Sequence, residues 1–287
     1  MSSSSSSSTT QQPASRPTSR GGSTTRSVER AAVFTHGRPE RVAGALERLQ
    51  AAAADAGVEL VGDGDGTADL AIVLGGDGTM LRALTAFLGT GVPVFGVNFG
   101  RVGFLTAVAN DELESGVRRA FAGDYQVVEL STLDVELNGE RRVAVNDAVV
   151  ASATLGRMIE LGYAVGGEQL GTQPCDGLIC ATPSGSTAYN LSNGGPVLVW
   201  GLDAMVMTFV APHSLLARPL VVGRGSDLVV HNRTADLSAS VLVDGHAFGD
   251  LAPGDDVSMR LGEQRSLLAT LPERTFFRRY RDTFGPV

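Results

Sequence analysis

The chain has 287 residues, 43% of them hydrophobic, and a formal net charge of −8. That length suits one or two domains with a sizeable core, and the acidic balance argues against nucleic acid as a partner, because a phosphate backbone calls for a basic stripe. All 23 basic residues are Arg, so no Walker A lysine, protein-kinase strand lysine or Schiff-base site is available, and any phosphate must be met by backbone N–H groups, Arg or a metal ion.

Residues 1–27 are Ser-rich and nearly free of large apolar side chains; such a segment cannot offset the entropy of ordering and reads as a disordered tail. From Ala31 the pattern is α/β. A short buried strand at 31–35 leads to an amphipathic helix at 41–56, with Val42, Ala45, Leu46 and Leu49 on one face. Strands follow at 58–61 and 70–74, then a helix at 80–88, a strand at 92–97 and a helix at 111–122. Strand and helix alternate with short links, which predicts an α/β domain over 28–125 built on an open, mostly parallel sheet. The Asp/Gly-rich stretch 62–66 mimics a calcium loop, but Leu74 stands where the bidentate Glu is needed, so it reads as a solvated turn.

After Tyr125 the texture changes. Segments 127–138, 141–150, 159–165, 204–210, 228–231, 239–243 and 256–261 are short and β-rich, with Asn138-Gly139 as a hairpin signal. They predict a β-rich domain over 126–272. An Arg-rich amphipathic helix at 276–284 closes the chain, in a last segment of 273–287. The most apolar long stretch, 196–210, is broken by Trp200, Gly201, Asp203 and Thr208, short of the roughly 20 residues that span a bilayer; no membrane association is expected. Cys175 and Cys180 suggest inert buried thiols in a reducing, cytoplasmic setting, and their spacing without clustered His is not a zinc site.

Four stretches carry chemistry. Gly75, Gly76, Asp77, Gly78 and Thr79 follow the strand at 70–74, where ligands of open α/β sheets bind. Glycines let backbone approach a phosphate, and the next helix offers its N-terminus. Asp77 would repel an anion, so it suits a general base or a Mg²⁺ ligand; an ordinary turn with Asp77 as helix N-cap remains open. The run 98–105 ends in Gly103, Phe104 and Leu105 and reads as a ligand-facing loop or as a plain one. Asn146 and Asp147 interrupt an apolar strand and need partners if buried; they suit ribose hydroxyls, with a bulge or turn as the alternative. Asp176 opens the richest run, where strand 178–182 enters a Pro-Ser-Gly turn and a Ser/Thr-capped helix bearing Thr187, Ala188, Tyr189 and Ser192. Hydroxyls, N–H groups and an aromatic ring there suit a sugar, phosphate and base; a plain capped helix is the other reading.

Together these motifs resemble the NAD kinase family. The match is carried in order by L-G-G-D-G-T-M-L at 74–81, G-V-N-F-G at 96–100 with Gly103-Phe104-Leu105, Asn146-Asp147 where the family usually has Asn-Glu, and the run 176–196 ending in Gly194-Gly195-Pro196. Pro212-His213-Ser214-Leu215 with Arg218-Pro219, Asp244-Gly245 and Phe276-Phe277-Arg278-Arg279 complete it. The resemblance implies an α/β domain and a β domain meeting at the site, with the last segment packing back on the first. It implies phosphorylation of the 2′-hydroxyl on the adenosine ribose of NAD, or NADH, by ATP or polyphosphate with Mg²⁺ or another divalent metal, in a homodimer or homotetramer. Asp77 would be the base, or would orient the hydroxyl and metal. Gly75, Gly76, Gly78 and Thr79 would meet the donor, and Phe104 and Gly245 would join the binding site. Asn146 and Asp147 would bind ribose, Thr187, Ala188, Tyr189 and Ser192 would line the adenosine side, and Asp176 would lie near the nicotinamide or come from a neighbouring subunit.

Overall fold

A computed structural model describes residues 27–35, 39–99, 103–154 and 156–285; the Ser-rich tail and Gly100, Arg101 and Val102 of the expected loop lie outside them. In the first half β1 (Arg30–Thr35), α1 (Pro39–Ala56), β2 (Glu59–Val61), β3 (Leu70–Leu74), α2 (Asp77–Ala86), β4 (Val94–Asn98), β5 (Val108–Ala109) and α3 (Leu113–Phe121) follow one another. The strands pair in parallel in the order β2-β1-β3-β4-β5. β3 is buried along its whole length because both faces of the sheet are covered. Leu70, Ile72 and Leu74 point to the core under α1 and α3. Ala71 and Val73 point the other way, to Met80, Ala83 and Leu84 of α2.

The second half contains β6 (Gln126–Leu137), β7 (Glu140–Ala144), β8 (Asp147–Ser152), β9 (Ile159–Val165), β10 (Glu168–Cys175), β11 (Gly177–Ala181), a short α4 (Tyr189–Ser192), β12 (Ala204–Val210), β13 (Leu220–Gly223), β14 (Leu228–Asn232), β15 (Ala239–Val243), β16 (His246–Leu251), β17 (Asp256–Thr270) and α5 (Phe276–Phe284). The Asn138-Gly139 hairpin forms between β6 and β7, with both residues at positive φ (52° and 79°). A six-stranded antiparallel sheet, β13-β12-β11-β8-β15-β16, stacks on the β6, β9, β14 and β17 part of the other sheet, with Leu133, Ile159, Val230 and Met259 facing Val150, Leu178, Met207 and Val241.

Two sequence expectations are corrected. The strand expected at 256–261 runs on to Thr270, hidden by the polar residues Gly262, Glu263, Gln264 and Arg265, where a register shift marks a bulge. Its far end pairs in parallel with β4, so β17 carries one sheet through both halves. The strand expected at 141–150 is two strands in two sheets, β7 and β8, separated by a bend at Val145 and Asn146.

The C-terminal helix packs back on the first half. Thr275 caps α5, its hydroxyl accepting from the Arg278 N–H at 3.2 Å. Phe276 and Phe284 bracket Phe104, with ring centroids 5.9 and 5.7 Å away.

Candidate active site

The Gly-rich loop is set by close approach. A Cβ on Gly75 would lie 2.5 Å from the Thr79 hydroxyl oxygen, and one on Gly103 would lie 2.2 Å from the Asp77 carboxylate, so a side chain at either position would force the loop apart. Gly76, not Asp77, is the N-cap of α2, and Asp77 is its first helical residue. The Asp77 carboxylate turns instead to another segment, accepting from the Phe104 N–H at 2.8 Å and the Leu105 N–H at 3.1 Å. The N-cap alternative is thereby replaced by a long-range clamp. Each carboxylate oxygen takes one donor and keeps a further acceptor position. Phe104 serves this loop through its amide, while its ring is buried against α5.

Asn146 and Asp147 lie at the crossing between the two sheets. The bend is held by Asp244, whose carboxylate accepts from the N–H groups of Val145, Asn146 and Asp147 at 2.8, 2.8 and 3.1 Å. Hydrogen bonds to a charged group are each worth about 1.5–3 kcal/mol, enough to fix a sheet-switching corner. Asp244 itself adopts a positive φ of 49° beside Gly245 at 76°. Its carboxyl is raised by burial, and the three N–H donors work against that rise.

The Asp147 side chain is treated differently. It is 7% exposed, and among the described residues nothing hydrogen-bonds its carboxylate. Burial, with the nearby Asp244 charge adding to it, pushes its carboxyl up to about 7. An unpaired buried carboxylate is costly. This one faces a cleft of about 450 Å³, a volume typical of small-molecule sites. Asn146 lines the same cleft, its side-chain oxygen accepting from the Ser184 hydroxyl at 3.2 Å.

Ala188, Tyr189 and Gly245 also line this cleft, with Leu81 of α2. Tyr189 is 46% exposed and offers a ring face for stacking. Leu81 stands one helical turn after Asp77, on the same face of α2; residues 75–79 of the Gly-rich loop are not themselves part of the lining. A second cleft of about 480 Å³ shares Leu81 and Asp244 and adds Arg82, Thr85, Arg142 and His246.

Other expected site residues stand apart from this cleft. The helix expected after Ser186 is two short turns, a 3₁₀ turn at Gly185–Thr187 and the four-residue α4, without a side-chain cap. The hydroxyls of this run bond to their own backbone, Thr187 to the Ser184 carbonyl and Ser192 to the Tyr189 carbonyl. Asp176 is exposed at the opposite end of β11, its carbonyl accepting from the Ser152 N–H at 3.0 Å. Sequence reasoning missed the organising role of Asp244 and the contributions of Leu81, Arg82 and His246. The Asp-Gly turn signal and the i, i+4 spacing from Asp77 were the available clues.

Among the described residues no three His, Cys, Asp or Glu side chains gather around a point, so Asp77 stands at this loop as a lone carboxylate with one acceptor position left on each oxygen. These residues do not fit a cation held by protein alone.

Residues 5–125 match the ATP-NAD kinase N-terminal domain and residues 145–271 the ATP-NAD kinase C-terminal domain. The chain is 37% identical over 223 residues to an NAD kinase of Gemmatimonas aurantiaca, covering 76% of this chain and 77% of that protein. It is 41% identical over 219 residues to an NAD kinase of Heliobacterium modesticaldum, covering 75% and 77%. The chain belongs to the NAD kinase family. Its fold agrees with solved members: yeast NADH kinase complexed with NADH superposes with a TM-score of 0.79 at 23% identity, covering 95% of this chain and 92% of that one. An NAD kinase from Archaeoglobus fulgidus in complex with ATP gives 0.75 at 25% identity, covering 90% and 100%. Membership makes the chain an NAD kinase, a phosphotransferase enzyme.

Proposed function

We propose that this protein phosphorylates the 2′-hydroxyl on the adenosine ribose of NAD, with ATP as donor. The observation that carries this reading is the buried, unpaired Asp147 carboxylate in the cleft walled by α2. Ionised, Asp147 accepts from ribose hydroxyls, and the Asn146 amide presents a donor beside it. Tyr189 stacks on a base, and Ala188 and Gly245 allow the nucleoside to lie close to backbone. The phosphates of the donor rest on Gly75, Gly76, Gly78 and Thr79, where the N-terminus of α2 favours negative charge. Asp77 orients the attacking hydroxyl and takes its proton as the phosphoryl group passes in line. With no lysine in the chain, positioning and backbone dipoles carry most of the catalysis. Any Mg²⁺ accompanies the donor.

The enzyme acts in the cytoplasm as a homodimer or homotetramer; among the described residues no helix is long and apolar enough to cross a membrane. Leu215 and Leu216, 93% and 85% exposed beside the edge strand β13, support self-association. Asp176, distant from the lining of this protomer's cleft, is then free to serve a neighbouring one.

The test offers purified protein NAD and NADH, each with ATP or polyphosphate, and measures NADP and NADPH. Formation of NADP from NAD and ATP supports the reading. No turnover with any of the four combinations overturns it.

A further inference from the structure

Arg279 of α5 is the most deeply buried basic residue among the described residues, 4% exposed. Its guanidinium makes no ion pair there. One terminal nitrogen donates to the carbonyl oxygens of Phe104, at 2.9 Å, and Thr106. The other donates to the Thr270 hydroxyl at 2.6 Å, and Nε donates to the Arg274 carbonyl at 3.1 Å. The Trp200 ring lies 5.4 Å from the guanidinium carbon. Burying a cation among neutral acceptors is expensive, and burial pushes Arg279 down to about 10, with the Asp77 charge acting the other way.

What that cost sustains is visible one peptide further on. The Phe104 carbonyl held by Arg279 and the Leu105 N–H held by Asp77 belong to the same peptide unit. That unit is gripped at its negative end by a guanidinium and at its positive end by a carboxylate. The fit is tight, since Gly103 leaves no space for a Cβ between this loop and Asp77. A shift of the loop is therefore a shift of the Asp77 carboxylate.

We propose that Arg279 is a positioning residue for Asp77, acting through the Phe104–Leu105 peptide. The C-terminal helix then sets the geometry of the reacting group from the far end of the chain. The inference rests on the role given to Asp77 above.

The test compares Arg279→Lys and Arg279→Met with the parent enzyme, varying NAD and ATP in turn. Lysine keeps the charge but lacks the planar fork that reaches several acceptors at once. Misplacing a reacting group by about 1 Å costs on the order of 10²-fold. Arg279→Lys should lower kcat by roughly 10- to 100-fold, and Arg279→Met by more, with both KM values within about threefold of the parent. Amide hydrogen exchange at Phe104 and Leu105 should rise in both variants. In an Asp77→Asn background, Arg279→Lys should cost less than about twofold further, because residues acting as a unit are not additive.

An unchanged kcat at temperatures where the variant is folded overturns the proposal, as does a full further loss in the Asp77→Asn background. If neither Arg279 variant folds, Thr270→Val removes one acceptor of the guanidinium and should give a smaller kcat loss with the same KM pattern; an unchanged kcat there also overturns it. An Asp77→Asn enzyme of parental activity would instead sink the reading of Asp77, while leaving the exchange result at Phe104 and Leu105 intact.

Discussion

Three carboxylates near the cleft are handled in two opposite ways. Asp77 and Asp244 are each wrapped by backbone N–H groups, two from Phe104 and Leu105 in one case and three from Val145, Asn146 and Asp147 in the other. Asp147, more deeply buried than either, has no such donors among the described residues. Asp77 fixes the loop beside the Gly-rich turn, and Asp244 fixes the corner where the chain changes sheet. The proposed function gives the unpaired Asp147 to a ligand and adds proton transfer to the role of Asp77. A buried polar group without partners is a defect in a structural core and a resource in a binding site.

The largest way to test this contrast is Asp77→Asn. The amide keeps one acceptor oxygen and cannot take a proton, so kcat should fall by about 10²-fold or more. One of the two loop N–H groups loses its acceptor, at about 1–3 kcal/mol, which a chain of this size can bear while staying folded. Steady-state kinetics and a melting curve separate the two effects. Near-parental kcat would remove Asp77 from the chemistry and leave it a loop-building residue like Asp244.

Next is Asp147→Ala. Loss of a charge-assisted acceptor is worth about 1.5–3 kcal/mol, or roughly ten- to a hundredfold in binding. The loss should appear in KM for NAD, with KM for ATP nearly unchanged, because the donor is assigned to the Gly-rich loop. Asp147→Glu should retain much function if the cleft accepts one more methylene. A weakened donor with NAD untouched would mean that the two substrates have been placed in the wrong halves of the cleft.

Much of this was legible in the sequence where the signal is local. β3 reads as a continuous apolar run because helices cover both its faces, and Asn138-Gly139 announces its hairpin within two residues. Asp77 and Asp147 stand out because a charge sits beside glycines in one case and inside an apolar strand in the other. The illegible parts depend on contacts across long sequence separations. Asp244 acts on N–H groups 97 to 99 residues earlier, and Arg279 reaches Phe104 across 175. No periodicity encodes either contact. β10, exposed over its first residues and carrying Pro174, lacks the apolar alternation that marks a strand. β17 is masked by the polar residues of its own bulge.

The smallest effect expected is on stability, and its sign distinguishes the two kinds of carboxylate. The folded state holds Asp147 at about 7, raised chiefly by burial from its ordinary value of 3.8. A raised pKa means the native state binds the proton more tightly than the unfolded chain does. The stabilising contribution is then fully present below about 4, and is lost as pH rises through about 7. The groups facing Asp147 are Asp244 from the β15–β16 turn, the Cys180 thiol on β11 and Tyr189 from α4. The nearby Asp244 charge discourages a second charge beside it and adds to the rise at Asp147. Ligand-free protein should therefore melt at a lower temperature at pH 8 than at pH 5.5. Asp147→Asn removes the ionisation, and an uncharged amide costs less to bury than an unpaired carboxylate. That variant should melt higher than the parent at pH 8, with the gap narrowing at pH 5.5. Saturating NAD should favour the ionised form, so the parent's affinity for NAD should improve from pH 6 to pH 8 while the variant's stays flat. A variant less stable than the parent at pH 8, by calorimetry without ligand, would show that Asp147 is a structural carboxylate after all and that its partner in the fold has been overlooked.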